Sequence, residues 1–277
     1  MNIFIMTDME GAAGVQNSEH WCEPSSRYYE LGKEFLTKEV NAAAEGFFAA
    51  GAKRIVVADG HGHGGLSINL LDPRLELIMG WSPPVWPFGL DRTFDYIAWV
   101  GQHAKAGSVY AHLAHTGTFS VLENTINGIS VGEFGGFALL AQELGVKPIF
   151  GSGDYAFTLE AKKLVKGIET VPVKKGLNPK TGTECSQEQY RKFNLTAMHI
   201  HPVKAREMIR HGAEKALRKA RGNGTYTLPK IKPPYERLMT VRHTDTAPKL
   251  LYRQYHTKSI TAMLNSEYKI SGCIGKS

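Results

Sequence analysis

MTDMEG, residues 6–11, closes an apolar run, Ile3-Phe4-Ile5-Met6, with two carboxylates and a glycine. The run reads as a buried strand over residues 2–7. Asp8 and Glu10 stand two residues apart, so in extended chain both side chains point to one side. Two acids at the end of a buried strand need a counter-charge, because an unpaired buried carboxylate is costly. A divalent cation supplies one. Gly11 lets the chain turn away tightly.

The same punctuation recurs downstream. Lys53 to Ala58 reads as a second buried strand, ending at Asp59-Gly60-His61-Gly62-His63. Tyr96 to Val100 reads as a third, ending at Gly101-Gln102-His103. Val131-Gly132-Glu133-Phe134-Gly135 places a glutamate between glycines at the start of a helix expected over 133–144. In open α/β sheets the carboxyl ends of parallel strands form the binding crevice. Asp8, Glu10, His61, His103 and Glu133 therefore converge from four segments. Singly each is a weak signal, a DxE pair being more often a cap or turn and a lone histidine more often a loop or core residue. As a set, three carboxylates and two imidazoles suit zinc, with enough ligands for two metals sharing a carboxylate.

Strand-like and helix-like stretches alternate, which gives an α/β class. Helices are expected over 27–50, 155–165 and Pro202 to Arg221. Strands are expected near 75–80, 147–150, 169–174 and 237–243, with a hairpin turn at Asn127-Gly128 and a terminal helix over 248–264. The chain has 277 residues, 42% hydrophobic, enough for a sizeable core. The net charge of +7 is spread among 26 acids. The basic helix 202–221 carries an apolar stripe and lacks the interleaved aromatics that stack bases, so it reads as a solvated face and not a nucleic-acid surface. Cys22, Cys185 and Cys273 are far apart and odd in number, which fits a reducing compartment. No apolar run is long enough to span a membrane, and no leader pattern is seen; a cytoplasmic protein is expected.

MTDMEG at 6–11, ADGH at 58–61, VGQHA at 100–104, LAHTG at 113–117 and VGEFG at 131–135 resemble, in order and spacing, the M55 family of zinc D-aminopeptidases. The resemblance covers about residues 1–265, including GSGD at 151–154. It implies that Asp8, Glu10, His61, His103 and Glu133 hold two zinc ions per chain, with Asp8 bridging, and that the catalytic histidine is His115. It implies a three-layer α/β/α fold of two similar intertwined halves with largely parallel sheets, one peptidase unit over 1–277 whose internal boundary the sequence does not show. It also implies a homodecameric ring with its sites facing an internal channel.

The function expected is hydrolysis of the N-terminal residue of short peptides, D-alanyl peptides first. Acid/base or oxyanion duty suits His115 better than covalent attack, which adds a step. Glu10, Glu133 and Asp154 are the candidates for holding the substrate amine. Asp59 either orients His61 or caps loop amides. His199 and His201 look like a metal pair but lie far from the cluster in sequence and read as surface or structural residues. WSPPVWPFGL (81–90) shapes the pocket or a subunit interface, or is an ordinary packed loop. The alternatives are another two-metal hydrolase, an L-peptidase or a phosphoesterase, and a non-catalytic oligomeric metal-binding protein. Against a phosphoesterase stands the lack of a glycine-rich phosphate loop.

Overall fold

The computed structural model describes residues 1–274. Strand β1 (Asn2–Thr7) lies in the interior of a seven-stranded sheet. On one side it pairs in parallel with β2 (Arg54–Ala58), which pairs with β3 (Glu76–Ile78). On the other it pairs in parallel with β4 (Tyr96–Gln102). Before the chain reaches the outer strands of this sheet it forms β5 (Val121–Ile126) and β6 (Ile129–Ser130), which belong to a second sheet. The first sheet then continues from β4 through β7 (Lys147–Asp154), β8 (Glu169–Gly176) and β9 (Ala197–His199), only the last pair being antiparallel.

Both faces of β1 are buried, which is why its sequence is apolar without alternation. Ile3 and Ile5 enter one core with residues of helices α2 (Tyr29–Ala49) and α6 (Pro202–Arg221), which follow the short α1 (Ser18–Trp21) and the short α5 (Gln187–Arg191) respectively. Phe4 and Met6 enter the other core, with residues of α3 (Glu133–Leu144), α4 (Tyr155–Leu164) and α7 (Ile260–Leu264). Helices therefore cover the sheet on both sides, as the α/β class requires.

The apolar stripe of α6 (Ala205, Ile209, Ala213, Ala216, Leu217) is buried. Its cations are largely paired: Lys215 and Lys219 reach Glu169, and Arg218 reaches Glu214. That is the solvated face the sequence suggested. No helix among the described residues is long and apolar enough to cross a membrane.

The second sheet differs from the largely parallel pairing expected of both halves. Its order is β12 (Lys269–Ile274), β11 (Lys249–His256), β10 (Tyr235–Val241), β5, β6, and every pair is antiparallel. The connections explain this. Asn127 and Gly128 both take positive φ in a two-residue turn, and β10 joins β11 through a short loop; a parallel pair needs a long crossover. The helix expected over 248–264 is not present as such. Residues 249–256 form β11, held between β10 and β12, and only Ile260–Leu264 is helical.

A candidate metal centre at the switch point

The strand order reverses direction between β1 and β4. Helix α2 leaves β1 toward one face, while α3 leads from the β4 side to the other, and the diverging loops open a crevice at the strands' carboxyl ends. Asp8 sits just past β1, Gln102 ends β4, His103 follows it, and His61 follows β2. Glu133 is the first residue of α3, where the positive end of the helix favours a carboxylate. Gly11 is required for space and not for its turn: a Cβ there would run into the backbone carbonyl oxygens of Gln102 and Gly101, and Gly11 N–H donates to Gly101 O at 2.7 Å.

All five sequence-predicted ligands, and His115, come together. Asp8 is 6% exposed, Glu10 5%, His61 7%, His103 2% and His115 8%. Two adjacent sets form, each able to hold a cation: Asp8, Glu10 and His61, and His103, His115 and Glu133. Asp8 links them. Its Oδ1 lies 3.3 Å from His61 Nδ1 and its Oδ2 3.0 Å from His103 Nε2. Glu10 Oε2 lies 3.1 Å from His61 Nδ1, and Glu133 Oε2 3.4 Å from His103 Nε2.

Each imidazole is oriented by a backbone carbonyl. His61 Nε2 donates to Cys22 O at 2.8 Å, His103 Nδ1 to Ala104 O at 2.8 Å, and His115 Nδ1 to Leu113 O at 2.8 Å. A carbonyl accepts only, so the other nitrogen of each ring is left to face the acids. This is how ligating histidines are fixed. A second observation agrees. Glu10 Oε2 and His103 Nε2 are buried without any hydrogen-bond partner, although each has an imidazole nitrogen or a carboxylate oxygen near 3 Å. Atoms that close whose lone pairs miss one another converge on shared space. Donors about 2.0–2.2 Å from one cation stand in that relation. The donor set, carboxylate oxygens and imidazole nitrogens, fits zinc.

The electrostatics are those of a tightly coupled cluster. Burial opposes ionisation of Asp8, yet His103 and then His61 hold it well below the usual carboxylate range. Burial likewise opposes Glu133, but His103 draws it down to about 2. Burial lowers His61 and His103, and the acids more than reverse it, Glu10 acting most on His61 and Glu133 most on His103. His115 alone ends lowered, by burial and by His103.

Asp59 accepts from Gly65 N and Leu66 N, so it caps the loop, and the Cys22 carbonyl orients His61. Asp154 caps α4 through Ala156 N and does not line the cavity, unlike Glu10 and Glu133. His201 caps α6, and His199 Nδ1 accepts from Gly14 N. Trp81 and Trp86, from the Pro-rich stretch, line a cavity of about 670 Å³ that opens over the centre.

Three contributors escaped the sequence reading. Gln102 donates to Asp8 Oδ2 at 3.2 Å. Cys22 acts through a carbonyl that every residue possesses. Lys174 donates to Val15 O at 3.1 Å and helps hold the loop after Glu10.

An open α/β sheet with an acid–imidazole cluster at its switch point defines a metal-site protein. The comparisons place it further. The M55 peptidase family model, D-aminopeptidase, matches residues 1–261, and the chain belongs to that family. A D-aminopeptidase of Bacillus subtilis (strain 168) is 31% identical over 183 residues, or 64% of this chain and 65% of that protein, just under two thirds of its length. A solved structure, the Zn-dependent D-aminopeptidase DppA from Bacillus subtilis, a self-compartmentalizing protease, matches with a TM-score of 0.78. At 21% identity over 95% of this chain and 94% of that one, it bears on the fold.

Proposed function

We propose that the protein is a two-zinc aminopeptidase that removes the N-terminal residue of short peptides, D-alanyl peptides in particular. The observation that carries this is the orientation of His61, His103 and His115, each tied by one nitrogen to a carbonyl and turning the other toward Asp8, Glu10 and Glu133. Family membership and the names of the relatives supply the substrate class.

Asp8, Glu10, His61, His103 and Glu133 are the proposed ligands of two zinc ions, with Asp8 shared. When bound, such ions supply Lewis acidity toward a carbonyl oxygen and bring the pKa of water to about 7. The chain's residues do the rest. His115, neutral because burial and His103 disfavour its charged form, takes a proton at Nε2 from the water that attacks the peptide carbonyl and gives it to the leaving amine as the C–N bond breaks. Its Nδ1 bond to Leu113 O and its stacking on Phe119, with ring centroids 4.5 Å apart, hold that nitrogen in place. Glu10 and Glu133, lining the cavity, are the acids that attract the substrate's ammonium group. Trp81 and Trp86 give the cavity an apolar wall for the substrate to pack on.

The proposal extends to assembly and setting. Residues 1–277 act as one peptidase unit. Copies assemble into a ring-shaped homodecamer, consistent with the self-compartmentalizing neighbour. The protein works in the cytoplasm, where its three free cysteines stay reduced.

The test is release of alanine from D-Ala-D-Ala and from L-Ala-L-Ala by zinc-loaded protein. Activity should vanish on chelation and return with zinc, while phosphate esters stay untouched. A fully metalled protein that cleaves neither peptide sinks the reading. Cleavage of the L form alone keeps the aminopeptidase and removes the D preference.

A further inference from the structure

The cavity over the metal centre carries opposite charge at two places. The acids lie at the strand ends of the first sheet. In the second sheet stands Arg237, in the middle of β10, with β5 on one side and β11 on the other. Its guanidinium is held by neutral groups. Nε donates to Asn124 Oδ1 at 2.6 Å, and Nη1 to Tyr268 Oη at 2.7 Å and Gln254 Oε1 at 3.3 Å. Nη2 has no hydrogen-bond partner among the described residues. Among the described residues no carboxylate comes within 4.0 Å of it, whereas the neighbouring Arg253, on β11, is paired with Glu236.

A half-buried guanidinium with only neutral partners has lost water without gaining an anion. Burial accordingly lowers its pKa, with Tyr268 and then Glu133 opposing. Its placement is rigid. Asn124, which holds Nε, also donates to Val131 O at 3.0 Å, two residues before Glu133. The cation is therefore braced against the segment that carries a proposed metal ligand. The other cation on the cavity wall, Arg191, is exposed and lies over the Phe119 ring at 5.8 Å, without a comparable set of side-chain hydrogen bonds.

We propose that Arg237 is a specificity-determining residue that binds the free C-terminal carboxylate of a di- or tripeptide, setting the cavity to read both charged ends of a very short substrate. The inference rests on the aminopeptidase reading for its reaction. A planar guanidinium suits a carboxylate. An extended peptide spans at most about 3.3–3.6 Å per residue, so a fixed cation and a fixed metal centre in one cavity of this size also set peptide length. Peptides blocked at the C-terminus, or long enough to carry it out of the cavity, lose the contact.

The experiment compares D-alanyl-D-alanine with its C-terminal amide, using zinc-loaded wild-type protein, Arg237→Gln, Arg237→Lys and Arg191→Gln. The wild type should favour the acid in kcat/KM by about 10- to 100-fold, the usual scale for a hydrogen bond to a charged group. Arg237→Gln should lose that preference by raising KM for the acid, leaving the amide unchanged. Arg237→Lys should restore part of it, and Arg191→Gln should keep it. Equal treatment of acid and amide by the wild type overturns the proposal without any variant, as does a preference that survives in Arg237→Gln or disappears in Arg191→Gln. Calorimetric binding of the same two ligands separates the two readings. If neither is hydrolysed, the aminopeptidase reading fails, while tighter binding of the acid, lost in Arg237→Gln, still upholds the carboxylate subsite and its absence overturns it.

Discussion

The rings of His103 and His115 stack with centroids 3.8 Å apart and planes 13° from parallel. Both turn Nε2 toward Glu133, at 3.4 Å and 3.8 Å. Two imidazolium ions cannot share such a contact without repulsion, and the surroundings push the two apart, His103 up and His115 down. Pairs separated in this way divide the labour of holding charge and moving protons. His115→Ala should therefore keep its zinc and lose about 10²–10⁴-fold in kcat. His103→Ala should lose zinc as well. Metal content by mass spectrometry beside steady-state rates decides it; zinc lost from His115→Ala moves that residue among the ligands, as its place in the second cluster allows.

The glycine of the opening motif makes a sharper structural claim. Gly11 faces the β4 end so closely that no side chain fits, since the carbonyl oxygens of Gln102 and Gly101 fill the position of a Cβ. Gly11→Ala must move a central strand end and should give insoluble protein or a melting temperature lowered by many degrees. Gly62→Ala, with nothing within 4 Å of the added methyl, should melt with the wild type. Equal melting of both variants would refute the close approach.

How far the sequence carried depended on where each signal resides. β1, β2 and β4 were legible because strands buried on both faces are continuous apolar runs, and helix α6 because Pro202 and Gly222 bracket it. The proposed ligands were legible because they stand where such runs stop. β11 was not. Its Leu250, Leu251, Tyr252 and Tyr255 do not alternate, and its strand state comes from pairing with β10 and β12, partners no local pattern names. The groups that aim the histidines are backbone carbonyls, which carry no residue signature. Arg237 sits inside a strand with no motif around it, and only the fold shows that it has no anionic partner among the described residues.

The loop after Glu10 is gripped by four side chains from distant segments. Glu39 accepts from Ala13 N at 2.8 Å, His199 from Gly14 N at 3.1 Å, Lys174 donates to Val15 O at 3.1 Å, and His112 to Gln16 O at 2.9 Å. Burial pushes Glu39 and Asp154 up to about 7, Lys174 down to about 8, His199 down to about 4 and His112 down to about 2. Glu39 thus keeps a proton in the folded chain that the unfolded chain releases near its ordinary value of 4.5. Between those values the folded state binds more protons, so stability falls as pH rises toward 7. Glu39→Gln has no such proton. Its melting temperature relative to the wild type should climb by several degrees from pH 4.5 to 7.5, at about 2–4 °C per kcal/mol for a chain near this size. A flat difference across that range would remove Glu39 from the titrating set.

Asp8 offers one oxygen to each half of the centre, Oδ1 toward His61 and Oδ2 toward His103. Gln102 supports the second oxygen at 3.2 Å, and Met9 N–H donates to the first at 2.8 Å. Its carboxylate should therefore act in both metal positions, whereas His61 and Glu10 act in one and Glu133 in the other. Loading with zinc, followed by dialysis and metal counting, tests this by stoichiometry. The wild type should retain two ions per chain, His61→Ala and Glu133→Gln about one each, and Asp8→Asn none or nearly none. An Asp8→Asn protein that keeps one ion firmly would confine Asp8 to a single position, and a wild type that never exceeds one would reduce the two clusters to one site with a neighbouring acid–base set.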